Sequence, residues 1–162
     1  MNNIKKIAFL VFSILFGSAI MSAQSADVIT SILESSSATF GQVCYLSAVQ
    51  QNLISEDASF DEAIQVLYNN NQLIEKEASE SPATYSDISF IFSHAWKING
   101  GLMFRLFKNS PRYAFKQFRS DGIISSSSDP GQIASGTDLL NILLACISKY
   151  GDFDINSVDM EG

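Results

Sequence analysis

Apolar residues recur along this chain at helical spacing. Ile88, Ile91, Phe92 and Ala95 fall at i, i+3, i+4 and i+7, and Leu139, Ile142, Leu143 and Cys146 repeat that spacing. Ala63, Val66 and Leu67 follow it over a shorter span. Strict apolar–polar alternation, which would mark half-buried strands, is rare. Pro82, Pro111 and Pro130 lie between these segments or at their starts, where a missing N–H costs least. The pattern predicts an all-α fold of about five or six short helices.

The starts of three helices resemble one another. "ATFGQV" begins at Ala38, "ATYSDI" at Ala83 and "ASGTDL" at Ala134, offsets of 45 and 51 residues. Each is Ala, then Thr or Ser, two variable residues, Gln or Asp, and an aliphatic residue. Thr39, Thr84 and Ser135 are predicted N-caps, with Gln42, Asp87 and Asp138 reaching back as in a capping box. Ser110 followed by Pro111 marks a fourth capped start. The segments before two of these starts also correspond. "DEAIQVLYNNNQLI" from Asp61 and "PRYAFKQFRSDGII" from Pro111 each read as a helix, a helix-ending turn and an aliphatic pair. Ala63 then matches Ala114, and Leu67 matches Phe118. The expected unit is helix, turn, polar loop, capped helix. It is present in full at about 58–98 and 110–150 and in part at about 26–54. One such unit cannot bury its apolar face alone, so the copies are expected to pack together.

In its order of elements the chain resembles the S-layer homology motif of bacterial exported proteins. "YAFKQFRSDGII" with "ASGTDLLNILLACI", and "EAIQVLYNNNQLI" with "ATYSDISFIFSHAW", carry the resemblance. It implies a pseudo-threefold helical domain that grips cell-wall polysaccharide. The arginine of the family's capped-helix start would fall at Phe40, Tyr85 and Gly136, and none of these is Arg. The matches that remain are caps and core positions.

The first residues bear on location. Lys5 and Lys6 precede an apolar run from Ile7 to Ile20, and small residues follow in "SAQSAD". That layout is a secretory signal peptide over 1–25, with cleavage expected before Ala26. An uncleaved anchor is the alternative, though the run is short of the ~20 residues a span requires. No Cys stands near the expected cleavage site to carry a lipid. The expected location is exported, periplasmic or envelope-associated, with no integral span after cleavage. Residues 26–150 read as one helical domain and 151–162 as an acidic flexible tail.

From Ala26 on, the chain holds 8 Lys/Arg against 17 Asp/Glu, a net charge of −9. That balance argues against nucleic acid as a partner. Cys44 and Cys146, the only cysteines, stand where an apolar residue would serve. They could pair in an oxidising compartment or remain as buried free thiols. No metal spacing and no cofactor motif occurs, and His94, the only histidine, has no evident catalytic partner. "GDFDINSVDMEG" starts like a calcium loop with Asp152, Asp154 and Asn156, but Ser157 stands where the loop's glycine belongs.

One stretch departs from the acidic average. No acid occurs from Ile88 to Ser120, and six of the ten Lys/Arg lie between Lys97 and Arg119. Arg112, Lys116 and Arg119 are spaced to form one stripe on a helix, with Ala114, Phe115 and Phe118 on another side. Arg105 and Lys108, in the preceding loop, extend the basic face. Gly100-Gly101 is expected to stop the helix that Thr84 caps. Three readings follow. The stripe is a candidate site for an anionic partner, a wall glycan or another envelope protein. Alternatively it is the solvated edge of a core helix in a purely structural interaction domain. A membrane-surface helix is a further option, set against the need of its aromatic face for packing. None is enzymatic.

Overall fold

Helix ends decide much of this architecture, because they carry backbone groups with no partner inside the helix. The computed structural model describes residues 26–107 and 109–151. The expected leader, Lys108 and the tail beyond Gly151 lie outside the described residues. The described chain is all-helical: α1 (residues 26–34), α2 (Phe40–Gln50), α3 (Phe60–Asn69), α4 (Tyr85–Ala95), α5 (Leu102–Leu106), α6 (Pro111–Ser120) and α7 (Gly136–Tyr150). Among the described residues there is no strand, only two isolated bridges, Thr39 to Pro82 and Thr84 to Ile133.

The three resembling starts form full capping boxes at α2, α4 and α7. Thr39 accepts from the Gln42 N–H while Gln42 Oε1 accepts from the Thr39 N–H at 3.0 Å. Asp87 Oδ2 accepts from the Thr84 N–H at 2.9 Å, and Asp138 Oδ2 from the Ser135 N–H at 3.1 Å. Ser110 occupies the N-cap position of α6, but its side chain makes no capping bond. Pro111 has already removed one of the N–H groups a cap would serve.

The residue before each box joins a closed ring. The Ala38 N–H donates to Ala134 O at 2.8 Å, Ala83 to Ala38 O at 2.9 Å, and Ala134 to Ala83 O at 3.1 Å. All three alanines are fully buried. The first helical residues continue the pattern: Phe40 donates to Ser81 O, Tyr85 to Gln132 O and Gly136 to Ser35 O. The three helix starts thus converge on one point, each satisfied by the segment ahead of another.

Helix stops are equally uniform. Asn52, Asn71, Lys97 and Gly122 take left-handed φ of 55°, 57°, 46° and 76° after α2, α3, α4 and α6. In each case the next residue's N–H folds back onto the helix: Leu53 to Ala48 O, Gln72 to Leu67 O, Ile98 to Ser93 O and Ile123 to Phe118 O. This is the Schellman arrangement. It confirms the stops in "NNNQ" and "SDG" and corrects the one at Gly100-Gly101. α4 ends at Ala95 and turns at Lys97, and Gly101 instead precedes α5.

Packing follows the apolar pattern in the outer helices. α3 buries Ala63, Ile64 and Leu67, and α6 buries Ala114, Phe115 and Phe118. α2 and α4 pack against each other, α3 covers α2, and α6 covers α4. Being covered on several sides, α2 buries every residue from Phe40 to Ala48, and α4 buries eight of its eleven. The α4 serines in this core, Ser89 and Ser93, donate to Tyr85 O and Phe90 O, so no hydroxyl is left unsatisfied. Cys44 and Cys146 are buried and free. Burial pushes the Cys44 thiol far above its ordinary value, helped by Glu77 and Asp87, and pushes Cys146 up to about 12.

Candidate functional site

The basic stripe forms as its spacing predicts. Arg112, Lys116 and Arg119 are exposed on α6, opposite Ala114, Phe115 and Phe118. Proline in the first turn starts this helix without a side-chain cap. Lys116 Nζ lies 4.9 Å from the centre of the Tyr113 ring, and the Arg119 guanidinium 5.8 Å from that of Phe115. Both are in cation–π range, so the two charges are held over aromatic faces. Among the described residues no carboxylate is in ion-pair contact with Arg105, Arg112, Lys116 or Arg119.

The nearest acid along α6 faces elsewhere. Asp121 Oδ2 accepts from Tyr150 Oη at 2.6 Å and from Gln117 Nε2 at 3.0 Å, tying the end of α6 to α7. Burial, and then this carboxylate, push the Tyr150 phenol well above its ordinary value.

Arg105 is not in a loop, as expected from the sequence, but on α5, a helix of five residues. Lys108 lies outside the described residues. α5 is held to α6 by the Gly101 N–H donating to Gln117 Oε1 at 2.8 Å. Phe107 stacks on Tyr113 with ring centres 4.8 Å apart and planes 12° off parallel. Only Phe104 of α5 is buried. Leu102, Met103 and Leu106 are 67%, 56% and 64% exposed, and Phe107 49%. A cleft of about 330 Å³ between α5 and α6 is lined by Leu102, Met103, Tyr113 and Lys116. The apolar side chains are therefore neighbours of Lys116, and Arg105 lines a second hollow with Leu106 and Phe107. Sequence reading missed this apolar half. Its signal, "GLMFRLF", is a dense apolar run too short to show a helical period.

His94 is half-buried, with Nδ1 2.9 Å from Phe90 O and its ring packed on Phe90. It lines a cleft with Ser93, Lys97, Ile98, Asn99 and Phe104, and none of these described neighbours is an acid. Trp96 is half-buried and donates its indole N–H to Gly151 O at 2.9 Å.

A second notch, of about 100 Å³, opens beside the ring between Phe40, Leu73, Glu75, Glu77, Asp87 and Phe90. Lost hydration, then Asp87 and Glu75, raise the Glu77 carboxyl above its ordinary value. Among the described residues no group of His, Cys, Asp and Glu is arranged to hold a metal ion. The positions where the S-layer resemblance implies arginine are all buried: Phe40 and Tyr85 pack into the core, and Gly136 lies against the end of α1.

Comparison with known proteins finds no matching family, no matching curated relative and no matching solved structure.

Proposed function

We propose that this chain is a non-catalytic binding module of the bacterial cell envelope that engages an anionic envelope component through the basic face of α5 and α6. One observation carries the reading. In a chain of net charge −7, Arg112, Lys116 and Arg119 form an exposed stripe that no carboxylate among the described residues neutralises. Segregated charge of this kind steers a partner of opposite sign. The proposed export rests on the leader-like first 25 residues. The ring of Ala38, Ala83 and Ala134 supports a domain of three related helical units, as the S-layer layout implies. The absence of arginine at Phe40, Tyr85 and Gly136 moves any glycan contact away from that family's usual position and onto α6.

The test is co-sedimentation of the full chain with isolated cell-envelope material at low and high salt. Changing Arg112, Lys116 and Arg119 together to Glu is expected to weaken binding at least about tenfold at low salt. Binding that the three changes leave intact would reject the basic face and favour the alternative, a purely structural protein–protein interaction domain.

A further inference from the structure

The face just described carries two chemistries, and an anionic glycan accounts for only one of them. Leu102, Met103 and Leu106 are aliphatic and more than half exposed. Sugar rings stack on free aromatic faces, and this face offers few. One side of Tyr113 is covered by Phe107, and Lys116 lies over the same ring. Phe115 is buried beneath Arg119. What remains open is a mainly aliphatic knob, Leu102, Met103 and Leu106 with half-exposed Phe107, beside Arg105 and Lys116.

We infer that α5 and the α6 stripe dock the protein on the surface of an anionic phospholipid bilayer. Leu102, Met103, Leu106 and Phe107 enter the headgroup–acyl boundary, while Arg105, Lys116 and their neighbours meet lipid phosphates. This rests on the reading above that the face takes an anionic partner, and it names the source of the anion. Long basic side chains suit such a boundary, because their stems lie on apolar surface while their charges reach the phosphates. α5 is a helix of five residues, far short of the ~20 a span requires, so α5 meets only the bilayer surface. The chain's net charge of −7 disfavours unspecific contact with an anionic surface, so the basic face is where such contact is made.

The experiment is co-sedimentation of the full chain with vesicles of phosphatidylethanolamine and phosphatidylglycerol, against vesicles of phosphatidylcholine alone. Isolated wall polysaccharide is assayed in parallel. The chain from Ala26 on, the expected mature form, is assayed beside the full chain, so that binding by residues 1–25 is separated from binding by α5 and α6. The parent is expected to bind the anionic vesicles. Leu102→Ser, Leu106→Ser and Phe107→Ser together should weaken binding at least about tenfold, and each cation reversed at positions 112, 116 and 119 at least about fivefold. Circular dichroism unchanged from the parent is expected, because these side chains are exposed. In a second readout, Leu106→Trp should be quenched by brominated lipid, with the parent's half-buried Trp96 as background. Wall binding without vesicle binding would overturn the lipid assignment and leave the anionic-partner reading standing. Binding to neither would overturn both. Vesicle binding that survives the three serines, with no quenching at position 106, would overturn the role of α5.

Discussion

Replacing Gly136 with alanine sets local and tertiary effects against each other. Gly136 is the first residue of α7, and in a helix alanine is favoured over glycine by up to about 1 kcal/mol. Here, however, an added Cβ would overlap the Ile32 carbonyl oxygen and lie 2.6 Å from Ser35 Oγ, where real Cβ contacts stay above 3.0 Å. The carbonyl cannot turn aside freely, because it accepts from the Ser35 N–H at 3.1 Å and from Ser35 Oγ at 3.0 Å. Relief requires the end of α1 to move away from α7. That movement stretches the 3.0 Å bond from the Gly136 N–H to Ser35 O, strains the adjoining bond from Ala38 to Ala134, and opens space beside the fully buried Ile32. Each weakened bond costs about 1 kcal/mol and the overpacking about 1–3 kcal/mol. Against the propensity gain, the net loss is about 2–4 kcal/mol. Urea denaturation followed by circular dichroism should show a midpoint lowered by about 1–2 M. Gly131→Ala is the control, since its Cβ would meet Asp129 Oδ1 at 3.4 Å, and should stay within about 0.5 kcal/mol of the parent. A Gly136→Ala protein as stable as the parent, or more so, would mean that propensity outweighs the contact and that α1 does not pack against the start of α7 as described.

Three further outcomes are expected. Thr84→Ala and Ser135→Ala should each cost about 1 kcal/mol in the same denaturation assay, whereas Ser110→Ala should be near neutral, because Ser110 makes no side-chain capping bond. Glu77→Gln should stabilise the protein at neutral pH. The Glu77 carboxyl is raised in the folded state by lost hydration and by Asp87 and Glu75, so its ionisation opposes folding. The advantage of Gln should shrink as pH falls through that raised value and vanish below the ordinary glutamate range. Both cysteines should resist a thiol reagent in the native protein and react fully on unfolding, since each is free and fully buried; a titration that finds no thiols in the unfolded chain would instead reveal a disulfide.

α3, α6 and α7 could be read from the pattern because each presents one face to the core, and α4 could be read although it buries eight of its eleven residues. α3 buries Ala63, Ile64 and Leu67, and α6 buries Ala114, Phe115 and Phe118, each set on one face of its helix. In α2 the apolar residues follow no stripe because nearly all of the helix is enclosed. Burial on every side erases the period that sequence reading relies on. α2 was expected from its Thr39 cap alone, whereas α5 was missed: five residues are too few for a period, and its apolar residues are mostly exposed. Lys97 misled in a third way. A lysine with positive φ ends α4, where two glycines nearby offered the more obvious stop.

By itself, the sequence determined where the main helices begin, which faces of the outer helices are apolar, and that α6 carries its cations together. These properties depend on residues within one or two turns of each other, so a local pattern records them. Only the tertiary structure decided that Ala38, Ala83 and Ala134 close a ring, that Gly136 lies against Ile32, and that the apolar knob of α5 stands beside Lys116 of α6. The ring and the Gly136 contact join backbone groups far apart in sequence, and every residue has the same backbone donor and acceptor. The spelling of the chain cannot announce such pairings; they are set by which buried surfaces fit together.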